Sequence, residues 1–341
     1  MPMSTSYDKK KRILLDPAGR RMREIFSEED IASLRAWFDV VWAKDEPIPL
    51  ESFEREKQSL FAVVGCGWRF GAVDGMPALR AILDVGGGLP RPDTLDYETC
   101  FKRHIRVLTC APAFGPMVAE MALAMALDCA REVSLGDRLF RSGEERYLHA
   151  GNTDTFTLFG RRVGFVGYGG LAQTLQPLLE PFRCPITVYD PWLTERHLRN
   201  AGVAPSSLDE VMSESDVIFV LAIPTSHNKA MVTRRHLEMI RPGRVFVLMS
   251  RAHVVDFDAL TDLVLGGRFK AAVDVFPEEP LAKDHPIRRA ESAVLSAHRA
   301  GAVKDDLRLI GRMVTDDLDA MNRGLPPHRM QNAEPELVFR L

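Results

Sequence analysis

Arg251, Glu279 and His298 lie far apart in the chain, yet each follows an apolar, β-branched run that reads as a strand. Arg251 comes after Val245–Met249, Glu279 after Ala271–Val275 and His298 after Ala293–Ser296. Ligands of open α/β sheets bind beyond the carboxyl ends of the strands, so three ionisable residues at equivalent ends of successive strands face one crevice. Their types form a working set. A planar guanidinium can fork onto a carboxylate and polarise a neighbouring carbonyl oxygen. An imidazole, with an unperturbed pKa of about 6.5, can carry a proton near working pH. A carboxylate beside it orients the ring and favours its protonated form. When a hydride carrier does the redox chemistry, the protein keeps two tasks: holding a small anionic substrate rigidly and moving the accompanying proton.

A seat for such a carrier is written upstream. Residues 161–166 read as a strand that runs into the turn Gly167-x-Gly169-x-x-Ala172 and then into a helical stretch reaching Leu179. Gly167 permits the tight turn, and Gly169 has no side chain to keep a pyrophosphate away. Ala172 lets the helix pack close, and the first helical residues, Gly170 and Leu171, have free N–H groups for phosphates. The next strand, Ile186–Tyr189, ends at Asp190, twenty-one positions beyond Gly169. An acid there accepts both ribose hydroxyls and repels a 2′-phosphate, so NAD is expected rather than NADP.

These residues need two sheets to position them. The first 110 residues give five strands, Arg12–Leu15, Val40–Trp42, Leu60–Val64, Leu79–Val85 and Ile105–Thr109. A helix opening at Ser27, with Asp30 three positions on, separates the first two. Alternating β and α units imply a parallel, doubly wound sheet. Pro116 opens a helix whose apolar stretch is Met117–Ala130. A second series follows with six strands, at 162–166, 186–189, 217–222, 245–249, 271–275 and 293–296, enough for a complete dinucleotide-binding sheet. The helical pattern at Asp305–Met321 carries the chain back. The expected fold class is therefore α/β with two doubly wound parallel-sheet domains, residues 1–116 plus 302–341 and residues 117–301.

Composition agrees with two cores: 341 residues suit two domains of roughly 150 each. With 46% hydrophobic and 27% charged residues the chain folds. A net charge of −3 gives no global basic field for nucleic acid or for an anionic membrane, so an anionic ligand must be small and locally bound. Cys66, Cys100, Cys110, Cys129 and Cys184 are scattered and contain no Cys-x-x-Cys pair, which signals neither a disulfide framework nor a metal site. No export signal is expected at the amino terminus, because its basic stretch lacks an apolar core. Met117–Ala130, interrupted by Glu120 and Asp128, is expected to be a buried helix too short to span a bilayer. A reducing cytoplasm is the expected location.

The chain resembles the D-isomer-specific 2-hydroxyacid dehydrogenase family over nearly its whole length. The matching pieces are the Gly167 turn with Asp190, Pro242-Gly243 leading to Ser250-Arg251, and Val273-Asp274-Val275-Phe276 with Glu279-Pro280-Leu281 and His285-Pro286. Ser296 to Gly301 and Val118-Ala119-Glu120 complete the set. The resemblance implies a flavodoxin-like substrate domain and a Rossmann NAD-binding domain. It implies that Arg251 binds the substrate carboxylate and carbonyl, that His298 is the acid/base with Glu279 as partner, and that Asp274 contacts the nicotinamide end. It also implies a substrate carboxylate held by backbone N–H groups of the Gly86-Gly87-Gly88 loop, with Gly87 and Gly88 as substrate-binding residues. A homodimer through the Met117–Ala130 helix is implied as well. The activity so implied is NAD-dependent interconversion of a D-2-hydroxy acid and a 2-keto acid. The alternative is an NADH-binding sensor or corepressor-like protein. Formate dehydrogenase is disfavoured, since that branch pairs the His with Gln where this chain has Glu279.

Three features depart from the family's usual pattern. Leu248-Met249-Ser250-Arg251-Ala252 replaces Asn-x-x-Arg-Gly, Ser296-Ala297-His298-Arg299 replaces Thr-Pro-His-Ile, and the stretch from Gly88 to Asp96 is longer. Glycines with a large aromatic and a cation in Gly65-Cys66-Gly67-Trp68-Arg69-Phe70-Gly71 suggest a loop that reads the substrate's side chain. Arg69 and Arg91 are the cations available should the substrate carry a phosphate.

Overall fold

The computed structural model describes residues 10–225 and 227–340. The expectation about an export signal falls largely on residues 1–9, outside the described part. The chain divides into two compact units: one runs to Phe114 and resumes at Val303, and the other spans Gly115–Ala302.

The first unit contains β1 (Arg12–Asp16), β2 (Asp39–Trp42), β3 (Leu60–Gly65), β4 (Ala81–Asp84) and β5 (Arg106–Thr109), all parallel, in the order β5-β4-β3-β1-β2. That is the flavodoxin-like winding. Side chains of β1, β3 and β4 are almost entirely buried, as parallel strands covered on both faces must be. Ser27 caps the helix Glu28–Trp37: its Oγ accepts from the Asp30 N–H at 3.1 Å, and the Asp30 carboxylate accepts from the Ser27 N–H at 3.0 Å.

The second unit contains β6 (Val163–Val166), β7 (Ile186–Tyr189), β8 (Ala204–Pro205), β9 (Val217–Val220), β10 (Val245–Leu248), β11 (Lys270–Val273) and β12 (Ala293–Leu295). They form one parallel sheet in the order β12-β11-β10-β9-β6-β7-β8. The winding reverses between β6 and β9, where a dinucleotide fits. The sheet has seven strands where six were expected. The extra one, β8, is a two-residue edge strand with no apolar run to announce it.

Helix Gly115–Arg131 covers one face of this sheet and places Ala119, Ala122, Met125, Ala126 and Cys129 in its core. It is longer than expected. With the preceding turn, the helical run Ala111–Arg131 reaches 21 residues, long and apolar enough by length and composition to cross a membrane, although half of its most apolar window is buried in the protein. The final strand, β13 (Gln331–Asn332), belongs to the first unit and pairs antiparallel with β5. It is reached through helix Arg308–Asn322, which packs on Met22–Ile25; a Cβ on Gly311 would lie 2.0 Å from the Ile25 carbonyl oxygen. The buried Asp317 carboxylate then gathers the N–H groups of His328, Arg329 and Met330 at 2.7 to 2.9 Å, fixing the approach to β13.

Candidate active site

The turn after β6 has the shape its glycines require. Gly167 has φ +94°, and a Cβ there would lie 2.7 Å from Ala222 Cα, so no larger residue fits. Gly169 is the N-cap of helix Gly170–Leu179 and supplies no capping side chain. Cβ atoms built on Gly169 and Gly170 would meet nothing within 4 Å, which leaves a bare backbone cradle at a helix start. Ala172 is fully buried, as close helix packing demands, and Leu171 is half-buried. Asp190 sits across the turn: its Oδ2 accepts from the Tyr168 N–H at 2.8 Å and its Oδ1 from the Trp192 N–H at 2.9 Å. Each oxygen keeps a lone pair for a hydroxyl. Two further polar atoms, Ser250 Oγ and Ser296 Oγ, are buried without a partner at the ends of β10 and β12. An open glycine cradle and a fixed acid suit a dinucleotide. Asp190→Ala is expected to reduce the NADH-over-NADPH ratio of kcat/KM by about tenfold or more, because a hydrogen bond to a charged group is worth about 1.5–3 kcal/mol. The variant also strips two backbone donors of their acceptor, so the ratio rather than the absolute rate is the measurement.

The three ionisable residues lie past adjacent parallel strands β10, β11 and β12. His298 Nδ1 is 2.6 Å from Glu279 Oε2, and Glu279 Oε1 accepts from the Phe276 N–H at 3.0 Å. An ionised carboxylate has only acceptors, so Nδ1 carries the proton toward it and Nε2, without a partner among the described residues, is left for chemistry. Burial pushes the Glu279 carboxyl up. The hydrogen bonds from His298 and Phe276 N–H, with the charges of His298 and Arg251, outweigh that and hold it below its ordinary 4.5. Arg251 is exposed and makes no ion pair among the described residues; its Nη1 donates to the Ser250 carbonyl at 2.7 Å.

His298 occupies the left-handed region with φ +49°, which costs a non-glycine residue about 1–2 kcal/mol. Asp274 holds it there. The Asp274 carbonyl accepts from His298 N–H at 2.7 Å, and its buried carboxylate accepts from Arg299 and Ala300 N–H, each at 3.1 Å. The sequence suggested a cofactor contact for Asp274, and the structure gives it this second task.

A depressed carboxyl stabilises the fold above its unfolded value of 4.5 and loses that contribution as pH falls through the folded one. The melting-temperature gap between wild type and Glu279→Gln is therefore expected to be widest near neutral pH and to close as pH falls below 4.5 through the depressed carboxyl's own range.

In the first unit, Gly87 has φ +102° and its N–H serves the Asp84 carboxylate, whereas Gly88 N–H has no partner among the described residues. The Trp68–Arg69 loop does not match the side-chain-reading role. Trp68 is 5% exposed, within the core, and its Nε1 donates to the Gly71 carbonyl at 2.6 Å. Arg69 is tied at 2.7 Å to the buried Asp16 and at 2.8 Å to the Ile48 carbonyl. Burying Asp16 demands that counter-charge, which takes Arg69 out of use as a substrate contact. Arg91 pairs with Asp93. Burial raises the Cys66 thiol to about 11, so it is no thiolate. Sequence reasoning passed over Asp16, Arg20 and Asp84. The available signal was an acid closing each of two buried strands.

The sequence model of the "D-isomer specific 2-hydroxyacid dehydrogenase, NAD binding domain" matches residues 123–300. Glyoxylate reductase of Pyrococcus furiosus is 28% identical over 317 residues, covering 90% of this chain and 93% of its own. D-3-phosphoglycerate dehydrogenase of Archaeoglobus fulgidus is 26% identical over 256 residues, covering 74% of this chain and 47% of its own. Among solved structures, a phosphoglycerate oxidoreductase from Rhizobium etli superposes with a TM-score of 0.85 at 38% identity, covering 95% of this chain and 99% of that one.

Proposed function

Because the chain belongs to the D-isomer-specific 2-hydroxyacid dehydrogenase family, with NAD(H) as cofactor, we propose that it interconverts a D-2-hydroxy acid and its 2-keto acid with His298 as acid/base. The observation that carries this reading is the 2.6 Å pair of His298 Nδ1 and Glu279 Oε2, which leaves Nε2 open beyond β12 while Arg251 adds its charge from the adjacent strand end. Bound NADH supplies a hydride to the keto carbon. The nucleotide would rest on Gly167, Gly169, Gly170 and Leu171, with its ribose on Asp190.

Arg251 forks onto the substrate carboxylate and draws electron density from the neighbouring carbonyl oxygen. As negative charge develops on that oxygen, the imidazolium Nε2–H delivers its proton there, and the hydroxy acid results. In the reverse direction neutral Nε2 accepts the hydroxyl proton. Glu279 stays ionised in both directions and keeps the ring in the tautomer that faces the substrate. The Arg69 ion pair removes one cation on which a phosphorylated substrate would rely, which favours a small unphosphorylated acid such as that of the glyoxylate reductases.

The test follows NADH absorbance with glyoxylate, hydroxypyruvate, pyruvate, phenylpyruvate and phosphohydroxypyruvate as separate substrates. Turnover of at least one, with glyoxylate or hydroxypyruvate ahead of the phosphorylated acid, is the expected result. Turnover of none rejects the reaction. A clear preference for phosphohydroxypyruvate rejects the assignment of substrate size and charge.

A further inference from the structure

Several arginines of the first unit meet an acid: Arg12 pairs with Asp39, Arg69 with the buried Asp16, and Arg91 with Asp93. One cleft differs. It has a volume of about 500 Å³ and is lined by Arg21, Arg23, Glu24, Lys304, Asp305 and Arg308, all of the first unit. Four cations stand there against two acids, and none of the four forms an ion pair among the described residues. Glu24 is already engaged, since its carboxylate accepts from the Arg21 N–H at 3.1 Å. The lining therefore carries a formal +2 in a chain whose net charge is −3.

Two segments remote in sequence build this cleft. Arg21 and Arg23 flank Met22 at the start of the short helix Met22–Ile25, while Lys304 and Asp305 lead into helix Arg308–Asn322. The segments close on each other where Gly311 lacks a side chain against the Ile25 carbonyl. Residues three and four apart share a helix face, so Arg308 and Arg312 lie on the side that Gly311 presses inward. Arg312 finds acids there, Asp30 at 3.3 Å and Glu29 at 3.8 Å. One turn earlier, Arg308 shares its cleft with Arg21 and Arg23 instead.

Like charges gathered without a counter-ion repel, and exposure to water lowers that cost without removing it. Guanidinium groups fork onto phosphate or carboxylate oxygens, and a lysine adds a mobile point charge. We propose that this cleft binds a small anion bearing two or more phosphate or carboxylate groups. A single negative charge leaves the lining positive, whereas two neutralise it. The site stands apart from the reaction proposed above, in which none of these six residues has a part.

The experiment titrates pyrophosphate, citrate and acetate into the full-length protein by calorimetry at about 0.15 M ionic strength. Pyrophosphate and citrate distinguish phosphate from carboxylate as the recognised group, and acetate tests the need for two charges. The expected result is one site per chain, with a Kd below about 1 mM for pyrophosphate or citrate and acetate binding at least about tenfold weaker. Arg23→Glu combined with Arg308→Glu is expected to weaken that binding by about tenfold or more, with NADH affinity unchanged. Arg23→Gln combined with Arg308→Gln, which removes the charges without reversing them, is expected to act in the same direction. Arg251→Leu is expected to keep full affinity, which separates this cleft from the cation of the proposed reaction. Absence of binding in wild type overturns the proposal, and so does binding that survives both double variants or an equal affinity for acetate. Binding abolished by Arg251→Leu overturns it too, because the anion would then lie on Arg251.

Discussion

His298→Ala is expected to lower kcat for keto-acid reduction by about 10²- to 10⁴-fold while the Kd for NADH stays within about twofold. The size follows from the role proposed for the ring. Reduction places negative charge on a carbonyl oxygen, and without a positioned donor the proton must come from water. The selectivity follows from placement. The nucleotide cradle is built from the turn after β6 and the acid after β7, whereas His298 lies beyond β12 at the far edge of the order β12-β11-β10-β9-β6-β7-β8. His298 is also 41% exposed at its side chain, so truncation leaves no cavity. Its left-handed backbone is held by Asp274 through main-chain contacts that alanine retains. Near-normal turnover would show that the proton travels by another route.

That residue could be found without coordinates for a physical reason. Central strands of a parallel sheet are buried on both faces, so β9 and β10 are written as uninterrupted apolar runs, and whatever polar residue follows such a run stands at a strand end. The strand-end positions of Arg251 and Glu279 were legible in that way, that of His298 from the short apolar run of the half-buried edge strand β12, and the Gly167 turn from its glycines, where positive φ and the nearby Ala222 backbone leave only glycine. The shortest edge strands were not legible. β8 and β13 have two residues each and pair on one side only, so neither carries an apolar signature. Residues whose role depends on partners were misjudged for a related reason. Trp68 and Arg69 have the composition of a recognition loop, but Asp16, remote in sequence and buried beside them, claims the cation. Asp84 has no motif of its own. Its role emerges only once β3 and β4 lie side by side, bringing Gly67 and Gly86 to the same carboxylate.

Arg251→Leu is expected to lower kcat/KM by about 10³-fold or more, through both parameters, with Arg251→Lys recovering only part of the loss. In the proposed reaction the guanidinium has two functions that separate kinetically. Its fork on the carboxylate is present in ground and transition states alike, so losing it raises KM. Its pull on the carbonyl oxygen grows as charge develops there, so losing it lowers kcat. Lysine restores a positive charge but not the planar pair of donors, and should repair KM more than kcat. The hydrogen bond from Nη1 to the Ser250 carbonyl steadies the side chain, and among the described residues no acid pairs with it, which leaves its charge for a substrate in the proposed reaction. Arg251 also helps hold the Glu279 carboxyl down, and with leucine in its place that carboxyl should move back toward its ordinary 4.5. The shift is in the wrong range to silence Glu279 near neutral pH. The pH profile of Arg251→Leu should therefore keep its shape while its height falls, and a profile displaced along the pH axis would show that Arg251 acts on the acid/base pair instead of on the substrate.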